Sequence, residues 1–343
     1  MPPTAPHTPP LSERIAILGA GAIGCYVGAR LAHAGAEVVL VGRPSVAAEV
    51  ATHGLHLSDY RGWRGGHACP ALTVATDPAA LVGAALVIVT VKSPDTRAAA
   101  EAARPYLTGA TVVSLQNGVR NPAVLEAALP GIPVVQAMVP FNVARPAPGR
   151  FHQGTSGVIA LADTPAMRAL AARLRAAGLP AKVHRDMRAV AWGKLLVNLA
   201  NAINALAGVP IRTMLHDRAY RRIMAACLRE GLVALAAAGI RPRLPMPLPP
   251  RWVPALLGAP DALFRILARP MLRVDPTARS SMWDDLARGR PTEIEELNGE
   301  VVRLADAVGT TAPLNRAIVA AVHAAEGHGS PQLSAAALAA ALG

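Results

Sequence analysis

An α/β half built on a parallel sheet, followed by an all-helical half, is the fold class this sequence predicts, and three observations predict it. Short runs of Val, Ile, Leu and Ala without polar alternation recur through the first 185 residues, separated by helix-length stretches. Strands of that kind are buried on both faces, and right-handed crossover helices on a parallel sheet supply the cover. A Gly-x-Gly-x-x-Gly turn runs from Gly19 to Gly24, where the first such run ends. From Asp186 the texture changes to long apolar-periodic stretches with no convincing strand between them.

In chain order, a Pro-rich leader over residues 1–12 precedes a strand at Arg14–Gly19 (RIAILG), a helix at Ala22–Gly35 and a second strand at Glu37–Gly42 (EVVLVG). His56–Val74, rich in Gly and aromatics, reads as an excursion of antiparallel strands or loop. Leu86–Lys92 (LVIVTVK) is a third core strand, Thr96–Leu107 a helix and Thr111–Leu115 (TVVSL) another strand. Val134–Ala162 reads as hairpin-style strands that turn at Arg145–Gly149. Helices are predicted over Asp186–Ala207, Met214–Ala238, Glu293–Val308 and Pro313–Ala325. Seven prolines between Arg241 and Pro260 predict a largely non-helical surface excursion. The boundaries are therefore a disordered leader (1–12), an α/β domain (13–185), a helical domain (186–330) and a flexible Ala-rich tail (331–343).

Composition narrows the function classes. A chain of 343 residues that is 52% hydrophobic can fill two cores, and with aromatics at 3% those cores must be Ala, Leu and Val. No apolar run reaches the roughly 18–20 residues of a membrane span, and Met1–Pro10 lacks the basic start of a signal peptide. Cys25, Cys69 and Cys227 are too widely spaced for a disulfide framework or a zinc site, and the ten histidines form no metal pair. A cytoplasmic protein without a membrane partner is expected. The net charge of +12 comes from scattered arginines with almost no aromatics to stack on bases, which argues against nucleic acid. Lys92, Lys182 and Lys194 are the only lysines, so each is worth attention.

Two patterns carry chemistry. In the first, Gly19 allows a tight turn after the strand, Gly21 lets the backbone approach a pyrophosphate, and Gly24 lets helix and strand pack closely. Ala22 and Ile23 open a helix whose unpaired N–H groups would face the phosphates. This is a Rossmann dinucleotide turn. The second strand ends in Gly42-Arg43 where an NAD enzyme would carry an acidic residue, and Glu37 lies at the wrong end. Arg43 can pair with a 2′-phosphate, so NADPH is the expected cofactor.

In the second pattern, Lys194, Asn198 and Asn201 fall in a stripe about 60° wide at about 100° per residue. Leu195, Leu196, Leu199, Ile203 and Leu206 take the opposite face. Asparagine is a poor helix former, so this face reads as the lining of a site, with a lysine of the kind that acts when desolvated. Elsewhere the residues by themselves leave plainer readings open. Asn117-Gly118 suits a turn, Thr292-x-x-Glu295 is a capping box that puts Glu293 in a first helical turn, and Asp284, Asp285, Glu295, Glu296 and Glu300 suit a solvated face.

GAGAIG at 19–24, VTVK at 89–92, LQNGV at 115–119, WGKLLVN at 192–198 and SSMWDDLARGRPTEIEELNG at 280–299 together resemble the ketopantoate reductase family, in family order over roughly residues 13–325. The resemblance implies a Rossmann domain followed by a helical domain, a cleft site, a small 2-oxo acid substrate and an NADPH-dependent reduction in pantothenate biosynthesis, with room for a homodimer. It implies that Lys194 is the catalytic lysine, that Asn117 lies near both nicotinamide and substrate, and that Ser281 binds the substrate carboxylate. It further implies that Glu293 binds the substrate's terminal hydroxyl, that Asn198 contributes an amide, and that Lys92 supports the cofactor. Two departures bear on the substrate: Ala202 stands where pantothenate-pathway members carry an asparagine, with Asn201 and Asn204 nearby, and Arg241–Pro260 resembles an insertion. Opine-type and glycerol-3-phosphate dehydrogenases fit these motifs less well. A paralogue acting on another 2-oxo acid, or a non-catalytic NADPH sensor, is the competing expectation.

Overall fold

The computed structural model describes residues 14–66, 71–246, 248–269, 272 and 275–342. The leader 1–12, Cys69, Pro247 and Gly343 lie outside the described residues. The chain divides into two compact units, one of residues 1–116 and 121–187, the other of 117–120 and 188–343.

The first unit is built on β1 (Ile15–Leu18), β2 (Val38–Val41), β3 (His56–Asp59), β4 (Arg64–Gly66), β5 (Leu72–Ala75), β6 (Leu86–Val89), β7 (Thr111–Ser114), β8 (Val134–Met138), β9 (Val143–Ala147), β10 (Arg150–Gln153), β11 (Ile159–Ala162) and β12 (Ala181–His184). Its helices are α1 (Ala22–His33), α2 (Pro44–His53), α3 (Thr96–Ala103), α4 (Asn121–Ala128) and α5 (Pro165–Ala176). The main sheet has eight strands in the order β12-β11-β8-β7-β6-β1-β2-β5. All neighbours are parallel except β8 and β11. Its central strands read IAIL, VVLV and LVIV because both faces are covered, so nothing polar is tolerated on either. Along β1, Ile15 and Ile17 pack into the core beneath α1 and α5, while Ala16 and Leu18 pack into the core beneath α3 and α4.

Two strand assignments differ from the sequence reading. Within His56–Val74 only β3 and β4 are an antiparallel pair, and β5 instead joins the main sheet beside β2. Of the strands in Val134–Ala162, only β9 and β10 form the hairpin, and β10 also pairs in parallel with β3 to make a second, four-stranded sheet, β4-β3-β10-β9. Arg30 of α1 latches this second sheet to the first. Its Nε donates to the Ala177 carbonyl at 2.8 Å, its guanidinium lies 3.7 Å from Asp59, and it stacks 3.7 Å from the centre of the Trp63 ring.

The second unit comprises α6 (Met187–Asn198, beginning one residue earlier than the unit itself), α7 (Ala200–Ala207), α8 (Ile211–His216), α9 (Arg218–Ala237), α10 (Val253–Gly258), α11 (Asp261–Leu267), α12 (Ser281–Ala287), α13 (Asn298–Ala307), α14 (Pro313–Ala325) and α15 (Ala335–Leu342). One core of Leu, Ala, Ile and Val side chains joins them. The segment read as a tail is packed: Leu338 of α15 is fully buried, because a leucine among alanines still has apolar area to hide.

The proline-rich stretch is also more ordered than its composition predicts. Residues 241–246 are irregular, but α10 follows with Pro254 in its first turn, where a missing N–H costs nothing. Val253, Pro254 and Leu257 are buried against α9. Fully buried Arg221 of α9 holds the far end, donating to the carbonyls of Leu257 (3.0 Å), Leu215 (2.9 Å) and Ala259 (2.9 Å), pairing with Asp261 (2.8 Å) and stacking on Phe264. A planar fork with five donors suits this cluster of fixed acceptors. Among the described residues no helix is long and apolar enough to cross a membrane. No group of three or more His, Cys, Asp or Glu side chains there could hold a metal ion. Cys25 and Cys227 are free and buried, and burial pushes the Cys25 thiol up to about 12.

Candidate active-site residues in the two units

In the first unit the glycine turn is set by close packing. Gly19 sits at φ +111°, and a Cβ there would lie 2.6 Å from the Val91 amide nitrogen. A Cβ at Gly24 would lie 2.6 Å from Thr90 Oγ1, whose hydroxyl already donates to the Gly19 carbonyl at 2.6 Å. At Gly21, by contrast, a Cβ would meet nothing within 4 Å. Gly21 is exposed and caps α1 without a side-chain bond, and the first turn of α1 holds no acidic residue. The Gly21-Ala22-Ile23 end of the helix therefore presents polar N–H groups beside open space, the arrangement a dinucleotide pyrophosphate requires. The turn fits the group.

Gly42 approaches the same turn, since a Cβ there would lie 2.5 Å from the Ala20 Cβ. Arg43 follows it, exposed, at the start of α2. Lys92 is exposed on the loop after β6. A buried polar chain, not foreseen from the sequence, holds that loop. Gln116 Nε2 donates to the Val91 carbonyl (3.0 Å) and to Thr96 Oγ1 (2.7 Å), Thr96 Oγ1 donates to Asn121 Oδ1 (3.0 Å), and Asn121 Nδ2 donates to Ser93 Oγ (2.9 Å). The signal in the sequence was a set of polar residues flanking strand ends, which reads as ordinary loop until the partners are known.

In the second unit, α6 carries Lys194 and, one turn on, Asn198. Lys194 is half-buried, and burial lowers its pKa from the usual lysine range to about 8. Asn198 is buried, and Leu195, Leu196, Leu199, Ile203 and Leu206 pack into the core as the periodicity requires. The predicted single helix is broken at Leu199 into α6 and α7. The proline-rich segment buttresses α6: the Arg243 N–H donates to the Ala189 carbonyl at 2.8 Å, and a Cβ on Gly193 would overlap the Arg243 carbonyl and lie 3.0 Å from the Leu244 nitrogen.

Ser281 is exposed at the first position of α12, while its neighbour Ser280 is buried and does the structural work. Ser280 Oγ donates to the Asn201 carbonyl (3.0 Å) and accepts from the Trp283 N–H (3.2 Å), and the Ser280 N–H donates to Asn204 Oδ1 (2.8 Å). Asn204 also donates to the Val209 carbonyl, and Ala202 is fully buried. These contacts seat α12 on α7, so Ser281 is placed by its neighbour's bonds.

Asn117 and Glu293, 176 positions apart, are brought together, with Asn117 Nδ2 donating to Glu293 Oε2 at 3.2 Å. The capping box does not form. Thr292 donates through its N–H (2.9 Å) and hydroxyl (2.8 Å) to Glu326 instead, and helix α13 begins only at Asn298. Glu293 accordingly lies in irregular backbone just ahead of the turns at 294–297.

A mainly parallel sheet with an open glycine turn after its first strand defines a Rossmann-type unit, and here a helical unit with a half-buried lysine follows it. The family model for ketopantoate reductase PanE/ApbA matches residues 15–166, and that for its C-terminal domain matches residues 186–326. The 2-dehydropantoate 2-reductase of Caulobacter vibrioides is 31% identical over 91% of this chain and 98% of its own length. A crystal structure of a PanE/ApbA family ketopantoate reductase from Ralstonia eutropha superposes with a TM-score of 0.77 at 35% identity, covering 91% of this chain and 98% of that one. D-mandelate dehydrogenase in ternary complex with NADH and anilino(oxo)acetate shares the fold, with a TM-score of 0.76 at 22% identity over 91% of this chain and 98% of that one. The chain belongs to the ketopantoate reductase family.

The buttress on α6 makes a prediction. Gly193→Ala must push the Arg243 backbone away from α6, and overpacking against backbone costs about 1–3 kcal/mol. Denaturant unfolding should show that loss, and a variant as stable as the parent would show that the segment does not brace α6.

Proposed function

We propose that this protein catalyses the NADPH-dependent reduction of 2-dehydropantoate to D-pantoate, the step that places it in pantothenate biosynthesis. The observation that carries the reading is the half-buried Lys194, whose pKa of about 8 suits a general acid near neutral pH. When bound, the reduced nicotinamide supplies a hydride to the carbonyl carbon of the 2-oxo acid.

The chain's own residues do the rest. Gly19, Gly21, Ala22, Ile23 and Gly24 hold the pyrophosphate against the start of α1, Arg43 pairs with the 2′-phosphate, and Lys92 and Asn117 support the nicotinamide end. Lys194, as ammonium, donates to the keto oxygen, stabilises the charge that develops there and gives up its proton. Ser281 and Asn117 hold the carboxylate end and the reacting centre of the substrate, and Asn198 contributes an amide. Glu293, steadied by Asn117, accepts from the terminal hydroxyl. Fully buried Ala202 favours a second reading, because it offers no amide to the substrate and Asn204 is spent on Ser280 and Val209. In that reading the enzyme is a paralogue that reduces another 2-oxo acid by the same chemistry.

The acid role fixes a pH dependence. A lysine with its pKa lowered to about 8 is protonated below that value and loses its proton as pH rises through it. kcat/KM should therefore fall above about pH 8, and Lys194→Ala should lower turnover by about 10²–10⁴-fold. A flat alkaline limb with an active Ala variant would remove Lys194 from the mechanism.

The cofactor assignment is checked by comparing NADPH with NADH. Arg43→Ala should weaken NADPH use about 10–150-fold, as expected for a lost charge-assisted pair, with little effect on NADH. Equal use of both cofactors by the parent enzyme would refute it.

The substrate is tested against 2-oxoisovalerate, which lacks the hydroxymethyl group. A site built to bond a hydroxyl rejects an analogue without one, because its own polar group is then left unpaired. Ketopantoate should be strongly preferred, and Glu293→Ala should remove most of that preference, by about 10–150-fold. Comparable rates on both acids, or none on either, would leave the paralogue reading.

A further inference from the structure

Residues 291–297 contain no helix or strand, yet they carry Glu293, the side chain on which substrate discrimination rests in the reading above. A carboxylate on irregular backbone can discriminate only if the backbone on both sides of it is held. Local backbone bonds run from the Glu296 N–H to the Glu293 carbonyl (3.1 Å) and from the Leu297 and Gly299 N–H groups to the Ile294 carbonyl (3.2 and 3.0 Å). The firmer anchors come from the end of α14, about thirty residues further along the chain.

Glu326 caps α14 and aims its carboxylate at Thr292. Oε1 accepts from both the Thr292 N–H (2.9 Å) and the Thr292 hydroxyl (2.8 Å), and that same hydroxyl accepts from the Ile294 N–H (3.3 Å). Thr292 is buried, so these bonds are shielded from competition with water. One turn earlier on α14, His323 bridges outward, from Nδ1 to Glu326 Oε2 (3.1 Å) and from Nε2 to Glu295 Oε1 (2.9 Å). Arg303 of α13 holds the other oxygen of Glu295 at 2.8 Å. The residue before Glu293 and the residue two after it are thus both tied, through Glu326 and His323, to the end of α14.

We propose that Glu326, with His323 behind it, is a positioning residue for Glu293, and that it sets the enzyme's preference for a hydroxylated 2-oxo acid without touching the substrate. The proposal rests on the reading that Glu293 binds the substrate hydroxyl.

The chemistry suits the role. Burial would raise the Glu326 carboxyl, but the Thr292 N–H, His323 and the Thr292 hydroxyl outweigh it and hold the group below the usual carboxylate range. The two carboxylates bonded to His323 raise its pKa, against a smaller opposing effect of burial. Glu326 is therefore an anionic acceptor at neutral pH, and charge-assisted bonds of this kind are short and directional. His323 and Glu295 are each nearly half exposed, so as surface ion pairs they add little to stability. Their value is geometric.

The test measures kcat and KM for ketopantoate and for 2-oxoisovalerate in the full-length enzyme and in variants. Glu326→Ala should cut the preference for ketopantoate by about 5–20-fold, through a raised ketopantoate KM, and leave 2-oxoisovalerate kinetics nearly unchanged. Thr292→Val removes the hydroxyl at the other end of the same bond and should act in the same direction, whereas Thr292→Ser should keep the parent's preference. In a Glu293→Ala background, Glu326→Ala should have no further effect on the preference, because the group it positions is gone.

If Glu326 were only a staple between α13 and α14, its loss would lower the melting temperature and slow both substrates equally. That result overturns the proposal. Should Glu326→Ala fail to fold, the Thr292 pair decides the matter alone, and equal preferences in Thr292→Val and Thr292→Ser overturn the proposal. The two ideas fail differently. A preference lost in Glu293→Ala but kept in Glu326→Ala and Thr292→Val sinks only the positioning role. A parent enzyme with no preference, or one whose preference survives Glu293→Ala, sinks the hydroxyl-binding reading and the positioning role with it.

Discussion

Backbone approaches backbone, at a few points in this protein, more closely than a methyl group permits, and both sets of candidate site residues depend on that constraint. In the α/β unit the end of β1 lies so near the end of β6 that a Cβ at Gly19 would lie 2.6 Å from the Val91 nitrogen. That proximity lets Thr90 bond the Gly19 carbonyl and turns the first residues of α1 toward open space. In the helical unit the Arg243–Leu244 backbone lies flush on α6 at Gly193, the residue before Lys194. Any larger residue at these positions would have to move a neighbouring backbone, and dense interiors transmit such movements.

Polar groups away from the candidate residues do much of the placing. Gln116, Thr96, Asn121 and Ser93 form a chain that holds the loop bearing Lys92, Ser280 and Asn204 seat the start of α12, and Glu326 ties down the turn before Glu293. Each of these is a buried or half-buried group whose bonds would be costly to break, because its partner would be left without one in a dry environment. Lys194 follows a different logic. Burial is what lowers its pKa, so its acidity depends on how well the surrounding packing excludes water.

Much of the architecture was legible in the sequence. Apolar runs such as IAIL and LVIV declared parallel strands because only strands covered on both faces can be uniformly apolar. The glycine turn, the change of texture near residue 186, and the apolar face of α6 and α7 followed from periods that local stereochemistry imposes. The family motifs then pointed to the chemistry. Local signals failed where the partner was remote. The capping box at Thr292 is a sound local pattern, but Glu326 takes the Thr292 N–H that the box would give to Glu295. Seven prolines argued against helix in Arg241–Pro260, yet a proline in the first turn of α10 is harmless, and buried Arg221 holds that segment down.

By itself, then, the sequence determined what repeats along the chain: strand and helix periods, the glycine turn, the order of the two halves and the type of each candidate side chain. Only the tertiary structure decided which of those side chains meet. That Asn117 bonds Glu293 across 176 positions, that β5 rejoins the main sheet beside β2, and that Ser280 supports while Ser281 is exposed are outcomes of chain crossing. The physical reason is that hydrogen bonds and contacts act over a few ångströms in space. A linear sequence carries no record of which distant groups folding brings within that range.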